Sequence, residues 1–266
     1  NGRSIGLRSG HFYLVCPRSN SSSLKKIFLS IIIPAYNEEK RLAHTLEQVF
    51  AFLKKQDYTA EVLVVENGSS DKTYVIANGL TSFYPDLRVL QSKERGKGLA
   101  IQYGMQEARG EYRFFCDADL SMPIEEVGKF FPPICKCDIA IASREIPGAV
   151  RYDEPATRHF TGRVFNALIR ALVLPKLHDT QCGFKAFRAD VAEDLFSQQT
   201  LGGWAFDVEI LAIAQERGYQ IHEIPIPWYY NDDSKINVLR DSWRMFLDLL
   251  TIRRNARRGL YGTPKI

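Results

Sequence analysis

Long apolar runs are missing from this sequence. Its best stretch, Phe28–Ile33, already contains Ser30 and ends at Pro34. A membrane-crossing helix needs roughly 18–20 such residues. A secretory leader is not expected, because the apolar segment His11–Cys16 is too short to form its core. Cysteine is also scarce. Five residues (Cys16, Cys116, Cys135, Cys137 and Cys182) in a chain of 266 make no disulfide framework, and the odd count favours a reducing compartment. Cys135 and Cys137 form C-x-C with no second Cys/His pair close by in sequence, so they read as small half-buried residues rather than zinc ligands. There is little charge of one sign: 35 basic against 31 acidic residues leave +4, too weak an excess to argue for nucleic acid. No Walker pattern occurs, and no G-x-G-x-x-G follows the first strand, which disfavours a P-loop kinase and a dinucleotide dehydrogenase.

What remains is an ordinary globular composition, 45% hydrophobic and 25% charged, which excludes disordered, collagen-like and coiled-coil chains. Residues 1–26, serine- and glycine-rich and opening on Asn1, are expected to be a tail or processed remnant. From Phe28 the pattern alternates. Continuous β-branched runs predict strands over 28–34, 61–66, 87–91, 112–116 and 138–143, with helical spacing over 39–56, 71–83 and 98–108 between them. That repetition predicts an α/β domain with a mostly parallel sheet, and it directs attention to the loops at the carboxyl ends of the strands. Further on, amphipathic helices are expected over 156–177 and 238–254 and another helix near 205–217. A late strand is expected over 221–230, and 179–187 reads as a turn. One domain over 27–255 with a basic tail at 256–266 follows.

The chemistry-bearing residues lie at those strand ends. Asp117 and Asp119 in FFCDADLSMP stand two apart, so in extended backbone both carboxylates point the same way. Converging carboxylates outside a core suit Mg²⁺ or Mn²⁺, hard cations that complete their shells with phosphate oxygens. In IIIPAYNEE, Pro34 fixes the backbone, Asn37 can cap the next helix, and Glu38 or nearby carbonyls can grip a ribose or base. In VVENGSSDKT, either Glu66 or Asn67 can hydrogen-bond a base. In RGKG, Gly96 lets a phosphate approach the backbone and Lys97 adds charge.

Taken in order, PAYNE, ENGSSDKT, RGKG and DAD resemble the family 2 glycosyltransferases of GT-A fold over residues 28–255. DTQCGFKAF, GGWAFDVEIL and Ser234–Lys235 are similar to motifs of the dolichyl-phosphate β-glucosyltransferases, relatives of the dolichol-phosphate mannose synthases. The resemblance implies a nucleotide-sugar donor, a divalent metal, inversion at the anomeric carbon and a polyprenyl-phosphate acceptor. UDP-glucose is the implied donor and GDP-mannose the alternative. It assigns Pro34, Ala35, Tyr36, Asn37, Glu38, Glu66 and Asn67 to the nucleoside. Asp117, Ala118 and Asp119, with Gly96 and Lys97, go to the metal and diphosphate. Asp179 and Asp207 are the carboxylates expected to orient neighbours or sugar, or to act as base if the acceptor is a hydroxyl. Arg144, Lys185, Arg188 and Lys235 are the cations expected to meet the acceptor phosphate. The eukaryotic relatives carry an N-terminal spanning helix that this sequence does not show, so the chain is expected to have lost it, never had it, or to bind peripherally. A peripheral place on the cytoplasmic face of a membrane, the endoplasmic reticulum in a eukaryote or the inner membrane in a prokaryote, is expected. The two basic amphipathic helices, with Phe160, Val164, Phe165 and Leu168 on one and Trp243, Phe246, Leu247 and Leu250 on the other, are the candidates for that contact.

Overall fold

The computed structural model describes residues 26–231 and 238–262. Its framework is a seven-stranded sheet in the order β3-β2-β1-β4-β7-β5-β8, built from β1 (Leu29–Ala35), β2 (Ala60–Glu66), β3 (Leu87–Gln91), β4 (Tyr112–Cys116), β5 (Ile139–Ser143), β7 (Phe184–Arg188) and β8 (Ile221–Pro225). β6 (Val150–Tyr152) and β9 (Pro227–Tyr229) pair separately. Side chains alternate between two buried faces. Ile31, Ile33, Val62, Val64 and Phe114 join one apolar cluster, and Ile32, Leu63, Val65 and Phe115 join the other. Both faces being covered explains why these strands read as unbroken apolar runs.

The helices are α1 (Leu42–Leu53), α2 (Thr73–Leu80), α3 (Lys97–Glu107), α4 (Ala156–Leu172), α5 (Ala189–Ser197), α6 (Phe206–Glu216) and α7 (Val238–Arg257), with a 3-10 turn at Ile124–Phe130. α1 lies with α2 on one face, while α3, α5, α6 and α7 cover the other. The five early strands fall within a residue or so of their predicted bounds.

Three expectations are corrected. FKAFR, inside the segment read as a turn, is β7, and it runs antiparallel between β4 and β5 in the middle of the sheet. The late strand divides at Pro225–Pro227 into β8 and β9, because two prolines so close cannot both keep one ladder. The chain does not loosen at 256: α7 continues to Arg257, and Tyr261 is buried, its carbonyl accepting from Arg217 Nε at 2.8 Å.

Candidate active site

β1, β2 and β4 are parallel, with Ala35 beside Glu66 and Ile32 beside Phe115. Their following loops therefore emerge at one end of the sheet. The first two loops are tied together by side chains. Asn37 N–H donates to Ser69 Oγ at 3.0 Å, Ser70 N–H to Asn37 Oδ1 at 2.8 Å, and Glu38 N–H to Thr73 Oγ1 at 2.7 Å. Asn37 therefore bridges loops rather than capping α1, and its φ of 52° holds it in the left-handed region that asparagine tolerates. Glu66 is buried, and its Oε1 accepts from Ser69 N–H at 2.5 Å. Asn67 Oδ1 accepts from Gly96 N–H at 3.0 Å, which joins the second loop to the start of α3. Tyr36 carries the Arg95 guanidinium 4.1 Å from its ring centroid.

Asp117 and Asp119 follow β4, and the intervening loop is pinned by Thr45 Oγ1, which donates to Ala118 carbonyl at 2.6 Å. Lys97, at the first turn of α3, places Nζ 2.5 Å from Asp117 Oδ1. Burial works to lower the Lys97 pKa, but the charges of Asp117, Asp207 and Asp119 outweigh it, so its net shift is upward and the ammonium is held charged. Asp119 is pushed upward by burial first and then by the neighbouring Asp117 charge, against the N–H of Ser121. Asp119, whose ionisation the neighbouring Asp117 charge opposes, together with Asp117 beside a lysine, offers an oxygen donor set suited to a hard divalent cation and to a diphosphate.

The antiparallel direction of β7 decides which of its cations belong here. Its first residues lie at the site end, with Phe184 beside Cys116, and its last residue lies beside Tyr112 at the other. Lys185 is thus near the site but fully buried, donating to Asp207 Oδ2 at 2.9 Å and to the Cys182 carbonyl at 2.6 Å. Arg188 is the correction: roughly 10 Å farther along the strand, it pairs with Asp138 and Asp190 at the opposite end of the sheet. Arg144 follows β5 at the site end and is already neutralised. Its Nε and Nη2 donate to Asp179 at 2.7 and 3.0 Å, and its backbone N–H does so at 3.0 Å. Burial alone would raise the Asp179 pKa, but Arg144 outweighs it and holds the carboxyl below the usual range. Lys235 lies outside the described residues.

Sequence reasoning did not single out several neighbours. Trp204 stands under Lys97 Nζ at 5.3 Å. Arg144 and Arg151 both face the Trp228 ring, at 5.4 and 5.8 Å. Arg151 is neutralised by Glu145 and Glu154, whereas Arg158, 5.3 Å over Tyr230, has no carboxylate partner among the described residues. The aromatic pattern of IPIPWYY was the available signal.

A family model described as "Glycosyl transferase family 2" matches residues 30–196. The chain belongs to that family. This family 2 glycosyltransferase is 34% identical to dolichyl-phosphate beta-glucosyltransferase ALG5C of Trichomonas vaginalis over 252 residues, covering 90% of this chain and 74% of the relative. It is 34% identical to the dolichyl-phosphate beta-glucosyltransferase of Saccharomyces cerevisiae, covering 91% and 78%. The human protein of that name is also 34% identical, covering 85% and 74%. Among solved structures, glucosyl-3-phosphoglycerate synthase of Mycobacterium tuberculosis, in complex with Mn²⁺, UDP-glucose and phosphoglyceric acid, superposes with a TM-score of 0.63 at 17% identity. It covers 90% of this chain and 81% of that one, and the likeness establishes the shared GT-A fold. No helix among the described residues is long and apolar enough to cross a membrane.

Proposed function

We propose that this glycosyltransferase moves glucose from UDP-glucose to a dolichyl-type polyprenyl phosphate with inversion. The observation that carries the reading is the cluster of Lys97, Asp117 and Asp119 after β4, set beside an arginine- and aromatic-lined flank. The curated relatives named above supply the choice of glucose and dolichyl phosphate.

In this reading Tyr36, Glu38, Glu66 and Asn67 hold the nucleoside. Asp117 and Asp119 would hold a divalent cation, Mg²⁺ or Mn²⁺, which supplies Lewis-acid neutralisation of the diphosphate. Lys97 adds its charge to the same oxygens. An acceptor phosphate monoester has a second pKa of about 6 and is largely dianionic at neutral pH. One of its oxygens attacks the anomeric carbon as the bond from that carbon to the diphosphate breaks, and UDP leaves with the electron pair. No proton has to be removed, so no general base is required. Arg158, without a carboxylate partner among the described residues, receives the acceptor phosphate. Arg144 is a positioning residue held by Asp179, and Lys185 holds the Asp207 carboxyl in place.

A second reading has one specific support. Asp207 is buried, and its Oδ1 has no hydrogen-bond partner among the described residues. That oxygen suits a sugar hydroxyl of the donor, or the hydroxyl of an alcohol acceptor. If Asp207→Asn retains measurable transfer to polyprenyl phosphate, the first role stands. If it is as inactive as Asp119→Ala yet binds donor, the base role gains.

Peripheral membrane contact is part of the proposal. On α4, Ile169 is buried and Phe165 and Leu168 pack on the core, which leaves Phe160 and Val164 at 72% and 55% exposure. On α7, Trp243, Leu247 and Leu250 are exposed at helical spacing, followed by Arg254, Arg257 and Arg258. Such a surface favours an anionic headgroup layer. The deciding experiment is a donor screen with UDP-glucose, GDP-mannose and UDP-N-acetylglucosamine against a short polyprenyl phosphate with Mg²⁺ or Mn²⁺. Transfer from GDP-mannose alone, or to alcohols alone, would overturn the reading.

A further inference from the structure

Cys135 and Cys137 take no part in the site described above. They flank exposed Lys136 in the loop that enters β5, at the end of the sheet away from Asp117. The structure joins their sulfurs, where the sequence pattern suggested separate half-buried residues. A disulfide across one intervening residue closes almost no chain, so it removes little entropy from the unfolded state and is a poor staple. Another use of the pair has to be sought.

A third donor comes from the neighbouring strand. His222 on β8, in register with Ala140 of β5, holds Nδ1 4.0 Å from Cys135 Sγ. The ligand atoms of Cys135, Cys137 and His222 all lie within 4.8 Å of one another. Tetrahedral zinc, with Zn–S of about 2.3 Å and Zn–N of about 2.0 Å, spaces such atoms roughly 3.5–3.8 Å apart. With the S–S bond opened, the Cys137 and His222 side chains have to move by roughly 1 Å to bring all three donors to that spacing. Cys135 is buried, Cys137 half-buried and His222 exposed, so one side stays open for entry and for a water as fourth ligand.

We infer that the reduced pair, together with His222, binds a thiophilic divalent cation of the zinc class. Reduction proceeds by exchange with a dithiol. The dithiol supplies two electrons and two protons and becomes a disulfide itself, while Cys135 and Cys137 are released as thiols. Cation binding then sends both thiol protons to solvent, and the Nδ1 lone pair of neutral His222 completes the protein ligands. Oxidation and metal occupancy exclude each other. The occupied site fastens the loop to β8, the edge strand that leads through Pro225 to Trp228. It is chemically distinct from the hard oxygen donors Asp117 and Asp119.

The test uses the full chain, reduced with a phosphine, freed of metal, its thiols counted, and titrated with Co²⁺ without oxygen. A thiolate-to-cobalt band should grow to one equivalent and vanish when Zn²⁺ is added. Carboxylate-bound Co²⁺ gives no such band, so binding at Asp117 and Asp119 does not mimic it. Oxidised wild-type protein, identical in sequence, should show none. Cys137→Ser should remove the band, His222→Ala should weaken binding by roughly tenfold or more, and Cys16→Ser should leave it intact. No band in protein with confirmed free thiols, or a band that survives Cys137→Ser, would overturn the site.

Discussion

Replacing Gly183 with alanine should disable transfer and leave the fold standing. Gly183 lies just before β7, and its carbonyl accepts the Asp117 N–H at 3.2 Å. A methyl group there would stand 2.6 Å from Asp117 Cγ and 3.0 Å from Oδ1, with the other carboxylate oxygen nearer still. Ordinary contact begins near 3.4 Å, so the carboxylate has to retreat, by roughly 1–1.5 Å. Its side chain is 29% exposed and can swing outward. The stability cost is therefore that of one displaced rotamer, on the order of 1 kcal/mol, or about 2–4 °C in melting temperature for a chain of this size. The retreat breaks the 2.5 Å contact with Lys97 and shifts Asp117 relative to Asp119. A misplacement of about 1 Å at a reacting centre costs on the order of a hundredfold, equivalent to about 2.7 kcal/mol in the barrier. The assay is kcat/KM for transfer from UDP-glucose to a short polyprenyl phosphate across a Mn²⁺ titration, with a thermal melt alongside. Unchanged kcat/KM and metal dependence would refute the role given to Asp117. A fall in melting temperature beyond about 8 °C would refute the claim that the disturbance is local.

Asp119→Ala should abolish transfer and metal-dependent nucleotide binding, and near-normal turnover at low Mg²⁺ would remove Asp119 from the metal site. Arg158→Ala should raise the acceptor KM about ten- to a hundredfold through loss of a charge-assisted contact, with the donor KM unchanged in initial-rate measurements; equal changes in both would place Arg158 elsewhere. Arg144→Ala strands the fully buried Asp179 charge and should cost about 3–5 kcal/mol in chemical denaturation. Because the folded Asp179 pKa is lowered, that pair's contribution is complete above the unfolded value of about 3.9 and lost as pH falls below it. The acid limb of stability should therefore flatten in Arg144→Gln, and an unchanged limb would contradict the pairing. On α4, Phe160→Glu should spare the melting temperature and weaken binding to anionic vesicles, whereas Phe165→Glu, packed on the core, should lower the melting temperature; the reverse pattern would overturn the division of that helix.

Much of the frame is local information. Unbroken β-branched runs such as IIIP and VLVV can only be strands covered on both sides, and the helical spacings between them compel parallel crossovers. From that alone the loops after β1, β2 and β4 had to share one end of the sheet, and Asp117 and Asp119 had to lie on the third of them. The family and the architecture were therefore legible in the chain itself, but the backbone at the carboxylate pair was not: Ala118 and Asp119 lie in a turn rather than in extended chain, with Leu120 N–H donating to the Asp117 carbonyl at 3.3 Å. The sequence could not determine which strand enters between β4 and β5, because FKAFR carries the same short apolar pattern whichever neighbours it takes and whichever way it runs. That direction put Lys185 against Asp207 and carried Arg188 to the far end. Arg144 finds Asp179 thirty-five residues away for the same reason, and a cation that looks free in the sequence is neutralised in the fold. His222 likewise reaches Cys135 only through the pairing of β5 with β8. Propensity and periodicity act over a few residues, whereas charge pairing and metal-ligand geometry act through space, and only the order of the strands sets those distances.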